Sequence, residues 1–223
     1  MAYKSIDNKK FLEDWNNIFD DLPSKKLNEL RKSLVNKNFN QAEEIKSYGN
    51  IFPGLIKINS GKVRCIYESK NNIHLLESYT EGDIFGAEHI LSDLQEQTLV
   101  SSTAVNLEIL PTNLFLKLLE EFPLIYKKFT STSVPEIFSC IRNSSIYNNL
   151  SDTNLLKLSK TYFEKNPEIE LNPNFNNTEV NYFACSKNFE YLKKGDAINK
   201  NSKLETSSLL KARILKIPNN LKS

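Results

Sequence analysis

The sequence predicts a mainly β protein: an antiparallel β-roll of jelly-roll type with flanking helices, followed by a second, reduced roll. Three observations predict it. Between residues 45 and 111, short apolar or alternating runs recur with Gly, Asn and Pro turn signals between them, the pattern of an all-β roll or barrel. Amphipathic helical patterns stand before and after that region. Short pieces of the first roll then return near the C-terminus.

The elements follow in order. Phe11 to Leu22 places Phe11, Trp15, Ile18, Phe19 and Leu22 on one helical face, and Pro23 ends it. Ser24 is a cap for a second helix carrying Leu27, Leu30, Leu34 and Val35. Strands are expected at Leu55 to Ile58, Lys62 to Tyr67 and Ile73 to Tyr79, with Asn59-Ser60-Gly61 as a hairpin turn. Ile84-Phe85 is a short strand, and Gly86 gives the backbone freedom to leave it. A short helix is expected between Gly86 and Gln95, then a polar loop. Val105, Leu107 and Ile109 alternate with polar neighbours as a half-buried strand up to Pro111. Thr112 is a cap for a helix carrying Phe115, Leu118, Leu119 and Phe122. Val134 to Ile141 forms another with Pro135 in its first turn, and Ser151 caps a third.

Composition limits the function classes. A chain of 223 residues holds one large or two small domains. A net charge of +2 gives no global attraction to nucleic acid or anionic membrane. No apolar run is long enough to span a bilayer. The opening MAYKSIDNKK lacks the apolar core of a signal peptide, so a cytoplasmic protein is expected. Cys65, Cys140 and Cys185 are odd in number and far apart, which reads as reduced, buried thiols. Two histidines, His74 and His89, are too few for a cupin-type metal site, and no metal or other cofactor is expected. No phosphate-loop motif is present, and Lys157 and Lys160 read as a solvated helix face rather than a DNA-reading one. No enzymatic activity is expected.

The repeat is faint but ordered. Lys194-Gly195-Asp196-Ala197-Ile198 echoes Glu81-Gly82-Asp83-Ile84, and Arg213 to Pro218 echoes the strand ending at Pro111. Strands are therefore expected near Val180 to Cys185 and Arg213 to Ile217. The domain division is 1–130 for the first roll with its N-terminal helices, 131–150 for a helical linker, and 151–223 for the partial second roll.

The stretch from Gly82 to Pro111 resembles the cyclic nucleotide-binding domain of catabolite-activator-type regulators and kinase regulatory subunits. In that family the comparable stretch is Phe-Gly-Glu, a short helix, then Arg-(Ser/Thr)-Ala. The resemblance covers roughly Phe11 to Phe129. It implies a ligand pocket formed by Phe85, Gly86, Ala87, Glu88, His89, Gln97 and Thr98. The binding residues depart from the pattern: the ribose-binding Glu position holds Ala87, and no Arg stands near Glu96 to Leu99. From Asn71 to Leu116 there are seven acids and no Lys or Arg. An anionic phosphate there would lack its partner, so cyclic nucleotide binding is not expected.

The order of pieces also resembles the N-terminal cytoplasmic region of bacterial peptidase-containing ABC exporters of peptides. That resemblance implies a non-catalytic regulatory or docking module whose partner is an exporter or its peptidase, at the inner face of the membrane without inserting into it. The alternative is a catabolite-activator-like transcription regulator lacking a functional DNA-binding part.

Overall fold

A computed structural model describes residues 15–70, 72–165, 169–170, 180–186, 191–199, 201–202 and 213–218. Phe11 lies outside them. Helix α1 (Trp15–Ile18) stops before Leu22; Phe19 to Leu22 continue as turns that still bury Phe19 and Leu22. Helix α2 (Ser24–Ser33) is shorter than its apolar spacing suggested. Leu34 is already extended and Val35 opens strand β1 (Val35–Phe39). Pro23, not Ser24, holds the cap position, and it offers no side-chain acceptor.

Seven further strands complete the roll: β2 (Glu44–Lys46), β3 (Gly54–Ser60), β4 (Lys62–Glu68), β5 (Ile73–Thr80), β6 (Ile84–Phe85), β7 (Thr98–Ser101) and β8 (Val105–Pro111). They form two antiparallel sheets, β1-β8-β3-β6 and β2-β7-β4-β5. Strands β3 and β4 are consecutive yet lie in different sheets. Asn59-Ser60-Gly61 is thus a corner between sheets, not a hairpin. Gly61 has φ +92°, and a Cβ there would lie 2.3 Å from the Ala104 carbonyl oxygen. Only glycine fits a corner that tight.

The roll interior comes from alternate residues of both sheets: Ile56, Ile58, Leu107 and Ile109 from one, Val63, Cys65, Leu76, Tyr79 and Leu99 from the other. A second cluster covers the outside of the first sheet, where Leu55 and Leu110 meet Trp15, Ile18, Leu30 and the apolar face of helix α4 (Thr112–Glu121). Thr112 is the first residue of that helix and Pro111 its cap; the Thr112 hydroxyl donates to the Phe52 carbonyl.

Helix α5 (Val134–Arg142) follows a 3-10 turn (Pro123–Phe129) and is buried along nearly its whole length. Its cap is Ser133, whose hydroxyl accepts from the Glu136 N–H at 3.3 Å. Helix α6 (Asp152–Phe163) is capped by Ser151 as the sequence suggested. Four short strands then make a third sheet: β9 (Ile169–Glu170), β10 (Val180–Ala184), β11 (Ala197–Ile198) and β12 (Ile214–Pro218), in the order β9-β12-β10-β11.

The third sheet repeats the first. Its order matches β1-β8-β3-β6 strand for strand. Ile58 pairs with Leu107 and Gly54 with Pro111; in the third sheet Ala184 pairs with Ile214 and Val180 with Pro218. The turns agree atom for atom. Gly82 has φ +88° and Gly195 +89°. The Asp83 carboxylate accepts from the Thr80 N–H at 2.7 Å, and the Asp196 carboxylate from the Lys193 N–H at 2.7 Å. Gly82 N–H donates to Ile58 and Gly195 N–H to Ala184.

The repeat differs in what its outer face carries at three matched positions. Where the outward side of the first sheet carries Asn36, Lys57 and Glu108, the third carries Ile169, Phe183 and Leu215, which join the main core beside α5 and α6. That exchange of polar for apolar residues makes the back of the third sheet a packing surface. The inward-equivalent residues Tyr182, Ala184, Ile198 and Ile214 form a small separate cluster.

Candidate functional site

The segment from Phe85 to Thr98, called the cassette below, lies at one end of the roll. Phe85 stacks on Tyr79 with centroids 3.8 Å apart. Gly86 turns the chain with φ +112°, and a Cβ there would meet the Phe52 ring at 2.6 Å and the Gly54 oxygen at 2.8 Å. Helix α3 (Ala87–Leu91) follows. Ala87 faces the α4 cluster, away from the interior. His89 points inward and is 1% exposed, its ring 4.5 Å from that of Phe52. Its Nε2 lies 3.6 Å from Cys65 Sγ, and its Nδ1 3.2 Å from a Glu88 carboxylate oxygen. Gln97 is equally buried; its oxygen accepts from the Cys65 thiol at 3.4 Å and its amide donates to the Pro135 carbonyl at 2.8 Å. Thr98 is buried in β7 opposite Ile66.

The structure therefore brings His89, Gln97 and Glu88 together around Cys65, with Phe85 and Gly86 packed on neighbouring aromatics, and leaves Ala87 and Thr98 apart. Glu88 is the one partly exposed member. The side chains of His89 and Gln97 fill the space beside Cys65. Ile137, Phe138 and Ile141 of α5 share the roll's core cluster and close this end further. Two shallow surface clefts, one beside Asn38 and Asn106 and one beside Tyr67 and Arg142, lie elsewhere.

Cys65, His89 and Glu88 stand in the order of a nucleophile, a base and a carboxylate. Cys65 is fully buried, and burial pushes its thiol well above the ordinary range, with Glu77 and Glu88 adding to the effect. A neutral thiol without access to substrate is not a nucleophile. The trio is a satisfied polar core, as is expected of buried polar groups.

The cassette has no Lys or Arg of its own, but two cations reach it from elsewhere and a third shares Glu136 with its Ser92. Lys46 of β2 is 4% exposed. Its ammonium donates to the carbonyls of Leu94, Gln95 and Gln97, at 3.4 and 2.7 Å for the first two. Burial lowers its pKa to about 8, with Cys65, Glu96 and Asp93 opposing the shift. Lys194 donates to the Asp93 carbonyl at 2.9 Å and lies 3.4 Å from Ser139 Oγ. Arg213 is fully buried. Its Nε and Nη2 bind the Glu136 carboxylate at 2.7 and 2.9 Å, and its remaining donors reach the Phe129 and Ser131 carbonyls. Burial alone would lower the Arg213 pKa; the Glu136 carboxylate outweighs it and raises it. Ser92 donates to the same Glu136 oxygen, and Ser139 to Glu96.

Lys46 yields a test. Its folded pKa is depressed, so between about pH 8 and the ordinary lysine value the unfolded chain holds more protons than the folded one. Stability contributed by this group therefore rises with pH through that window, by about 1–3 kcal/mol. Urea unfolding of wild type and Lys46→Met at pH 7.5 and 10, both inside or bordering the window, isolates it from the buried tyrosines and thiols. The wild type gains relative to the variant at the higher pH; a constant difference would contradict the assignment.

None of these three cations was singled out by sequence reasoning. Ser133-x-x-Glu136 has the form of a capping box, a legible signal for Glu136, although its carboxylate goes to Arg213 instead of back to the cap. Lys46 and Arg213 carry no local signal.

No family model and no curated protein matches this chain. Solved structures similar to it include the catabolite activator protein of Thermus thermophilus, at 22% identity and TM-score 0.42 over 50% of this chain and 54% of that one. A putative transcriptional regulator of the Crp/Fnr family from Eubacterium rectale is 15% identical, TM-score 0.45, over 50% and 54%. The regulatory subunit of a cAMP-independent protein kinase A from Trypanosoma brucei is 20% identical, TM-score 0.42, over 50% and 42%. This chain spans about half the length of each.

Proposed function

We propose that this chain is a non-catalytic regulatory or docking module: a cyclic-nucleotide-binding-like roll that works without a cyclic nucleotide. The observation that carries the reading is the filled cassette. His89, Gln97 and α5 occupy its interior, and the buried cations beside it are committed to carbonyls and to Glu136. A phosphate would have to displace satisfied buried groups and find no donor in exchange, which is costly. The seven acids of 71–116 add repulsion.

The system we assign it to is peptide export. The order of first roll (1–130), helical linker (131–150) and partial second roll (151–223) resembles the cytoplasmic N-terminal region of peptidase-containing ABC exporters. No helix among the described residues is long and apolar enough to cross a membrane. Two measurements test this assignment: association of the purified chain with a solubilised peptidase-containing ABC exporter from the same genome, and peptide export in cells lacking the chain. Association and impaired export are expected. No association together with normal export would overturn the exporter assignment and return the chain to the transcription-regulator reading.

A further inference from the structure

We propose that the third sheet is a built-in latch on the cassette: two of its cations, Arg213 and Lys194, fix the Ser92–Gln97 loop through helix α5. The inference rests on the reading of the cassette as ligand-free and names what takes the ligand's place in ordering it. Three lines of contact converge. Glu136 Oε1 accepts from Ser92 at the end of α3 and from Arg213 at the start of β12. Ser139, one helical turn further along α5, donates to Glu96 and lies beside Lys194. Lys194 also reaches over α5 to the Asp93 carbonyl at 2.9 Å. Gln97 closes the loop's other end on the Pro135 carbonyl.

Charge explains the pairing. The loop and its flanks supply acids and no Lys or Arg, whereas Arg213 and Lys194 bring cations from the third sheet. Position 213 corresponds, through the repeat, to Asn106 of the first sheet. Asn106 there sits in an exposed amide row with Asn38 and Asn59. In the third sheet the same position carries a buried arginine whose guanidinium turns away from the sheet to Phe129, Ser131 and Glu136. Lys194 precedes Gly195 in the shared turn, where Glu81 precedes Gly82. Both cations are therefore departures from the repeat, and both reach toward α5 and the loop. Since α5 holds the loop on one side and the third sheet on the other, undocking of the third sheet removes the loop's ordering contacts.

A plain staple, holding the third sheet with no consequence for the cassette, is the competing account. Amide hydrogen exchange on the full chain separates the two, comparing wild type, Lys194→Met and Arg213→Met. Lys194 is half-buried, so its variant leaves the folded core in place if Arg213→Met should release the whole sheet. The latch requires amides 91–97 to exchange about fivefold faster or more in both variants, the lower end of inter-site couplings. Amides of β4 and β5, in the other sheet, stay at the wild-type rate. Unchanged exchange at 91–97 in both variants would overturn the latch, even if the third sheet itself exchanges faster. Slowing of the wild-type loop by added cyclic AMP would instead overturn the ligand-free reading and leave the latch standing.

Discussion

Arg213→Met lowers the unfolding free energy by about 3–5 kcal/mol, the largest loss expected of any single polar substitution in this chain. Arg213 and Glu136 are both 0% exposed, and the guanidinium fills four acceptors: two carboxylate oxygens and the carbonyls of Phe129 and Ser131. Methionine fills the volume but leaves a carboxylate without a counter-charge and two carbonyls without donors. The Glu136→Leu change alone should cost as much, because it strands the guanidinium. The double variant recovers a large part of either loss, since a buried ion pair replaced by apolar residues is often close to neutral. The check is a double-mutant cycle by urea unfolding. A single-variant loss below about 1 kcal/mol would show that the pair is solvated rather than buried.

Gly195→Ala is expected to cost about 2–5 kcal/mol, and Gly82→Ala only about 1–2 kcal/mol. The two glycines have the same φ and the same hydrogen bonds, so the left-handed backbone penalty is common to both. They differ in what surrounds them. A Cβ at Gly82 meets nothing within 4 Å. At Gly195 it would lie 2.5 Å from the Asn143 carbonyl carbon and 2.7 Å from the Ser144 nitrogen. Both are backbone atoms at the end of α5, and neither can give way without shifting the helix against the third sheet. Denaturant midpoints of the two variants measured side by side provide the comparison. Equal losses would mean that the third sheet is not seated on α5.

The fold was legible where its signals are local. A Gly-Asp turn is built from a left-handed glycine and an aspartate that accepts from the backbone three residues earlier, so residues 80–83 and 193–196 disclose each other by sequence. Ser133 and Ser151 caps were recoverable for the same reason, although only the second was read. Signals misled where they do not say what pairs with what. Asn59-Ser60-Gly61 has the residues of a hairpin, yet nothing in three residues tells a hairpin from a corner between sheets. Ser24 and Thr112 follow prolines that take the cap position themselves. Val35 fits a helical spacing and a strand equally well, and the pairing of β1 with β8, some seventy residues on, decides it.

At the candidate site, sequence reasoning identified the missing arginine and the acidic stretch but not what compensates them. Lys46 meets Gln97 across 51 residues, and Arg213 meets Glu136 across 77. Contacts that long leave no spacing pattern to read. The same applies to Cys65: its alternation with Val63 marks a core position, and the position is buried, but its neighbours His89 and Gln97 stand 24 and 32 residues further along the chain.

Calorimetric titration of the purified chain with cyclic AMP and cyclic GMP at low salt tests the filled cassette most directly, since low salt favours any anion. The account predicts no binding tighter than about 1 mM, a free energy of roughly −4 kcal/mol. A micromolar dissociation constant for either nucleotide would contradict it: His89 and Gln97 would then have to leave the interior to make room, and the chain would be a sensor rather than a ligand-free module.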